Sequence, residues 1–564
     1  MNAAGLVRAF EITAPRFTAA ARRDKLRLLD ALARTRIRQP RALRALHEAL
    51  CYLEAYPDDA EILARVEEDL GRFAERVRLL GRAVRALDDS GIAGAVLEYP
   101  FGLPMAAWLV GRFPDAVDIA WDQFVQPEPL QETLPLLTDP TEDDALSDEG
   151  GLGWRRWLDL AKGGRHISDL NVLVDLFDRS PLSEETRERL FESLALPIRW
   201  RTSGVGGSRT QAKLPWPEPY FRRRASRRLD GARFLREITR PLPSLRRAPP
   251  ALATALVESA RAAMATRLRE LFAFSHANPD DVLVADPGRG LRVALIGIAP
   301  RHRLPLHGYY AFLALQNGVP VSYGAAWQLF GVLEAAFNVF ESFRRGESAL
   351  IVAEVLRAYR QAFGMRAVVV DPYQIGHDNP EALAAGAFYF YDRLGFHPRD
   401  AAVGRLARAE KAKIRARTGY RSTLPVLRQL ARSELVLSLD GDHRAADRVV
   451  TASALAALVT DHVSRRFEGD RVAAREHASA DVRRLLGATD SRRWSADERR
   501  AFDQLAMLVS LIPDLDRWPA ADRRRLLLAM RAKGGPSEAG YVRRLDAHRR
   551  LYHSLRALVT AASS

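Results

Sequence analysis

Between residues 281 and 340 apolar and polar positions alternate with a period of two, the spacing at which successive side chains take opposite faces of a strand. Val282 to Ala285 and Leu291 to Ile298 flank Asp286-Pro287-Gly288-Arg289-Gly290, and Tyr310 to Leu315 and Val319 to Trp327 flank Asn317-Gly318. Asn-Gly supplies the positive φ angles of a two-residue turn, so the second pair predicts a hairpin. Leu333 to Phe340, apolar apart from Glu334 and Asn338, predicts a further strand. The period then changes to 3.6. Val352, Val355, Leu356, Tyr359 and Phe363 form one stripe that stops at Gly364, which predicts a helix packed by one face on the sheet. Met365 to Val370 reads as a buried strand and Asp371 to Asp378 as a loop. Asn379-Pro380-Glu381 reads as the start of a helix that ends at Gly395. Leu435 to Leu439 predicts a short strand that returns to the sheet after the basic helical segments Asp400 to Arg417 and Thr423 to Ala431. Antiparallel strands followed by strand-helix-strand-helix predict an α+β fold, with a central mixed sheet flanked by helices.

Outside this core the pattern is helical. Asp24 to Leu32, Arg41 to Leu53 and Asp59 to Leu87 repeat apolar residues every three or four positions, without the fixed period of a solenoid. Residues 443 to 564 are helical throughout, with Trp494-Ser495-Ala496-Asp497-Glu498 as a capping start. The expected organisation is a helical N-terminal domain over 1–125, then an acidic linker with mixed helical and basic Pro-rich segments over 126–255. The core over 256–440 and a helical region over 441–564 follow. Ser203-Gly204-Val205-Gly206-Gly207-Ser208-Arg209 lacks the Gly-Lys-Ser/Thr ending of a nucleotide loop and reads as a flexible linker, although Arg209 and Lys213 nearby leave an anion site open.

Two segments carry a family resemblance. Tyr391 to Phe396 resembles the Tyr-x-x-x-Gly-Phe ending of the fourth helix in GNAT-type N-acyltransferases. Residues 341 to 364 resemble the acyl-CoA pyrophosphate loop and helix that precede it in that family. Aligned on Gly346, the family's Gln/Arg-x-x-Gly-x-Gly/Ala pattern meets Phe343 and Ser348 at its first and last positions, and Glu347 is an acidic departure. The resemblance covers about residues 281 to 440 with flanking strands. It implies a transferase that takes acetyl-CoA or another acyl-CoA and passes the acyl group to an amine acceptor.

The residues of that segment have a physical part in such a reaction. A helix start offers unpaired N–H groups and a partial positive charge to a pyrophosphate, and Arg344 and Arg345 add charge around Gly346, Glu347 and Ser348. A first-turn cap is the other reading of Glu347 and Ser348. The resemblance places a backbone N–H near Val339 at the oxyanion and Tyr391 as the acid that protonates the departing thiolate; packing of Tyr391 among Phe388, Tyr389 and Phe390 is the alternative. Asn379 stands in for an Asn that the family often has where this chain has Ala384. For the base, Glu334 shares a strand face with Asn338, while Glu341 lies on the other face. Either reads equally as a solvated charge. His377 and Asp378 form a polar loop pair, and His302 and His307 lack acidic or Cys companions at ligand spacing, so no metal is expected.

Composition narrows the class. At 564 residues the chain exceeds one hydrophobic core, and with 27% charged residues it reads as folded rather than disordered. No apolar run approaches the ~20 residues of a membrane helix, no secretory signal follows Arg8, and Cys51 is the single cysteine, so a cytoplasmic protein is expected. The net charge of +15 is carried almost wholly by arginine. Nucleic acid is therefore a second class of partner, through Arg222 to Arg228, although a GC-rich coding bias explains the basicity equally well. The alternative to an enzyme is a catalytically inactive adaptor of the same fold, with a protein partner on its helical regions or a nucleic acid.

Overall fold

The helical periodicity near the N-terminus resolves into the helices Ala19–Ala33, Pro40–Ala55 and Ala60–Gly71, and the rest of the third expected stretch forms the separate helical turns Phe73–Arg78 and Gly81–Leu87. Asp59 starts the third by accepting the N–H of Ile62 at 3.0 Å. The computed structural model describes residues 2–146, 151–202, 207–224, 229–441, 450–488 and 490–562. The chain divides into two units, one of Met1–Ala225, Ala255–Ser275 and Gln316–Pro320, the other of Ser226–Thr254, His276–Leu315 and Val321–Ser564.

In the first unit the expected boundary at residue 125 does not separate bodies. β1 (Val96–Tyr99) and β2 (Val117–Ile119) pair with the two edges of β3 (Ile198–Arg201). The region expected as an acidic linker with mixed helical and basic Pro-rich segments thus supplies the central strand of a sheet. It also supplies the helices Asp169–Arg179 and Glu184–Ser193, whose Leu173, Phe177 and Phe191 share a core with Leu97 and Trp200. Ile198 and Trp200 face that core while Arg199 pairs with Glu98 at 2.5 Å and Asp122 at 2.7 Å. Four residues of alternation are too few to stand out from a loop in sequence, and the partners that stabilise them lie about a hundred residues away. Residues 203–206 of the Gly-rich stretch and 225–228 of the basic run lie outside the described residues. Arg222 of that run stacks on the ring of Tyr56 at 4.5 Å.

The second unit carries a mixed nine-stranded sheet flanked by helices, the α+β class that the periodicity predicts. Its strands are β4 (Ser244–Arg247), β5 (Ala277–Gly288), β6 (Leu291–Ile298), β7 (Gly308–Gln316), β8 (Val319–Leu329), β9 (Val332–Val339), β10 (Ala367–Val370), β11 (His397–Pro398) and β12 (Leu435–Ser438). They lie in the order β11-β12-β10-β9-β8-β7-β6-β5-β4. Asn317 at φ +49 and Gly318 at φ +84 make the left-handed hairpin turn expected of them. β4 is an addition, since the Pro-rich stretch hides an edge strand. Pro241, Pro243, Pro249 and Pro250 all fall outside its four paired residues, where a missing N–H costs the ladder nothing.

The helix Ser348–Phe363 connects β9 to the parallel β10 and lies on the sheet, with the Tyr359 hydroxyl donating to the Tyr310 carbonyl at 2.7 Å. It stops at Gly364, whose left-handed φ of +72 closes the last turn. The single helix expected from Asn379 to Gly395 is two, Pro380–Ala384 and Ala387–Arg393, because Gly386 takes φ +67 and breaks the helical ladder. β12 enters the sheet between β10 and β11, as the predicted return strand, after the helices Ala401–Ala416 and Leu424–Leu430.

The C-terminal helices, expected as a region of their own, belong to this unit. The loop between Ala520–Ala532 and Ala539–Ala547 is fixed to the strands by buried charge. Asp281 accepts the Tyr310 hydroxyl at 2.8 Å, the Ser537 hydroxyl at 2.6 Å and the Glu538 N–H at 2.9 Å. Arg303 donates to the carbonyls of Lys533 and Gly535 at 2.8 and 2.6 Å, which takes up orphaned carbonyls at a helix end. Lys533 pairs with Glu538 and donates to the His307 carbonyl at 2.6 Å. Each buried charge has a partner, as burial in low dielectric requires. Among the described residues no helix is long and apolar enough to cross a membrane.

Candidate functional site

β9 changes partners along its length. On one side it pairs with β8 throughout, with Glu334 opposite Trp327 and Asn338 opposite Tyr323. On the other it pairs with β10 only from Val332 to Glu334, whose neighbour is Val369. Beyond that rung β9 continues to Val339, and among the described residues no strand pairs with it on that side. Phe340 N–H donates to the Val321 carbonyl of β8 at 3.0 Å, so by the alternation of an antiparallel ladder the N–H and C=O of Val339 point the opposite way, toward the open edge. The Val339 carbonyl accepts Arg344 Nε there at 2.8 Å.

The chain then turns into the next helix. Glu341–Phe343 form a 3-10 turn, so Glu341 has left the strand and is exposed on the turn, which removes it from the strand face expected of it. Arg344 also reaches Glu381 at 3.5 Å and remains partly exposed. Gly346 takes φ +94, and no atom lies within 4 Å of where a Cβ would stand. Glu347 is the residue before the helix, buried, and its side chain makes no capping bond; Ser348 is the first helical residue. The opening N–H groups of Ser348–Phe363 therefore receive no cap from the side chain of the residue before the helix.

Glu334 reaches solvent from the face of β9, yet its pKa is raised, first by the protein packed around the carboxyl and then by the carboxylates of Asp371 and Glu434, with Arg399 opposing. Sheet register explains the cluster. Val369 stands beside both Glu334 and Val436, and His397 beside Val436, so these four share one face. Two residues further on in the same facing are Asp371 on β10's side, Arg399 on β11's, and Glu434 two residues before Val436. Arg399 is ion-paired to Glu434. Trp327 flanks Glu334 across the β8–β9 pair and stacks on Tyr309 at 5.1 Å between centroids.

Tyr391 is buried in the helix Ala387–Arg393, edge-on to Phe390 and Phe396 at 5.2 and 5.4 Å. Burial alone pushes its pKa up, and among the described residues its hydroxyl makes no hydrogen bond. That environment matches packing, and it makes the phenol a weaker acid than the free side chain. The Asn379 side chain caps Pro380–Ala384 by accepting the Ala382 N–H at 3.1 Å. His377 and Asp378 lie 3.6 Å apart, both exposed. His302 stacks with His276 at 3.9 Å, and burial together with Lys533 lowers His307 to about 4.

The structure therefore groups Glu334, Val339, Arg344, Gly346 and Ser348 along one edge and turn. Tyr391 and Asn379 have separate local roles. Asp371, Glu434, Arg399 and Trp327 were not singled out by the sequence, because nothing local marks them. Placing Leu435 to Leu439 beside residues 367–370 is the one signal that brings Glu434 level with Asp371. Comparison with protein-family models, curated proteins and solved structures returns no match.

Proposed function

We propose that the second unit is an acyl-CoA-dependent N-acyltransferase of the GNAT type, transferring an acyl group to an amine. The observation that carries the reading is the parting of β9 from β10 after Glu334, directly before a helix start that the Glu347 side chain does not cap, with Arg344 and Arg345 in its turn. In this reading the thioester lies along the open edge of β9, its carbonyl oxygen toward the N–H of Val339. The pyrophosphate meets the N–H groups of Ser348, Ala349 and Leu350. The amine nitrogen attacks the thioester carbon after Glu334 takes its proton, the C–S bond breaks, and the thiolate leaves with a proton. Its raised pKa makes Glu334 a stronger base than an ordinary carboxylate. Asp371 and Glu434 give an incoming ammonium group a negative surface. Tyr391 is the proton donor that the resemblance assigns, and its burial makes it a weaker acid than the free phenol. A cytoplasmic address goes with this reading, in which the buried thiol of Cys51 is unpaired.

One observation favours a second reading, a non-catalytic adaptor. Glu347 is buried at the helix start, where a polyanion would have to approach. Calorimetry with acetyl-CoA and longer acyl-CoAs on the full chain separates the two. The enzyme reading expects binding that weakens about tenfold or more in Arg344→Ala/Arg345→Ala. Absence of binding at millimolar concentrations overturns it.

A further inference from the structure

The helices Ala401–Ala416 and Leu424–Leu430, inserted between β11 and β12, carry a charge that acyl transfer does not use. Residues 401–433 hold nine lysines and arginines against one carboxylate, Glu410, and so supply more than half of the net charge of +15. That carboxylate is consumed internally. Glu410 is buried and accepts Lys413 at 2.7 Å, the Tyr420 hydroxyl at 3.0 Å and the Ser422 hydroxyl at 2.6 Å. Lys411 pairs with Asp392 at 3.0 Å.

The arginines differ. Arg405, Arg408, Arg415, Arg417, Arg421 and Arg428 are exposed, and among the described residues none has an ion pair or a side-chain hydrogen bond. Some arginines elsewhere in the same unit do sit on carboxylates, as Arg484 does on Asp481 at 2.5 Å and Arg500 on Asp497 at 2.5 Å. A coding bias toward arginine raises the count everywhere, but it does not account for one insert with its counter-charges left out. Arg405, Arg408 and Arg415 recur at helical spacing within about a quarter-turn of one another, all exposed, and span about 15 Å of helix.

We propose that this insert binds the phosphate backbone of a nucleic-acid duplex. Unpaired guanidiniums at this spacing neutralise several phosphates and release their counterions. Stacking on a single strand needs exposed aromatic rings, and Tyr420, the one aromatic residue in 401–433, is held by Glu410. A membrane-surface helix needs a broad apolar face, whereas Ala401–Ala416 exposes one large apolar side chain, Ile414.

The test is fluorescence anisotropy with labelled duplexes of about 20 base pairs, RNA and DNA in separate arms, across a salt series. Wild type is compared with Arg405→Ala/Arg408→Ala/Arg415→Ala and with Arg484→Ala/Arg500→Ala/Arg525→Ala, which removes the same charge from ion-paired positions. The insert variant is expected to lose at least about tenfold in affinity and to flatten the logarithmic salt slope by about 2 to 3, with the control within about twofold of wild type. Equal losses in both variants, an unchanged insert variant, tighter binding of the single strand of the same length, or insert-dependent binding of phosphatidylserine vesicles without duplex binding each overturn the proposal.

Discussion

Glu334 and Val369 form the last rung between β9 and β10, and beyond it the two strands no longer pair. The rung fixes two things together. It brings the Glu334 carboxyl onto a face with Asp371 and Glu434, and it leaves the backbone of β9 up to Val339 open on one edge.

Acyl transfer through Glu334 has a pH signature. A carboxyl held above its ordinary pKa is protonated at low pH and becomes a base as pH rises through the raised value. The kcat/KM profile of the wild type should therefore rise along an acidic limb. Glu334→Gln should remove that limb and lower turnover about 100-fold or more. A variant that keeps the limb shows that another group titrates.

The turn at Gly346 gives a prediction free of substrate. Its φ of +94 is disfavoured for any residue with a Cβ, while the space around that position is empty. Gly346→Ala should therefore cost about 1 to 2 kcal/mol from backbone strain alone, read as a lower denaturant midpoint at unchanged m. An unchanged midpoint contradicts the left-handed turn.

The Lys533–Glu538 pair tests how the C-terminal helices are fixed to the sheet. Both groups are buried, so Lys533→Met leaves Glu538 uncompensated and should cost about 3 to 5 kcal/mol in denaturant unfolding. Lys533→Met/Glu538→Gln should recover part of that loss, since the glutamine still accepts the Tyr309 N–H. A single variant within about 1 kcal/mol of wild type means that the clamp does not hold the loop.

In the first unit, Glu54 links stability to pH. Burial raises its pKa from 4.5 to about 7, so between those values the folded chain keeps a proton that the unfolded chain has released. Its contribution is complete below pH 4.5 and declines as pH rises toward 7, by roughly 3 kcal/mol for a shift of that size. Glu54→Gln should flatten this part of the stability profile and stabilise the unit at pH 8. Parallel wild-type and variant profiles contradict the assignment.

Much of the sheet was legible from local chemistry. Asn317-Gly318 states its own turn, the stripe from Val352 to Phe363 its own buried face, and Gly364 its own stop. Features that depend on distant partners were not legible. β3 is four residues whose neighbours in the sheet lie far away in sequence, and β4 hides among prolines that its ladder never uses. Gly386 ends a helix only because the chain there turns left-handed, which a helical pattern continuing through Phe390 and Tyr391 masks. At the candidate site the turn residues were visible in sequence, whereas the open edge was not, because it consists of hydrogen bonds that β10 does not make.

Amide hydrogen exchange with acetyl-CoA tests the central claim most directly, since it reads that edge residue by residue. Added at millimolar concentration to the full chain, acetyl-CoA is predicted to slow exchange at Val339 and at Ser348, Ala349 and Leu350, with the effect lost in Arg344→Ala/Arg345→Ala. Unchanged exchange at those amides, or protection confined to other parts of the chain, contradicts an acyl-donor site between β9 and the Ser348–Phe363 helix.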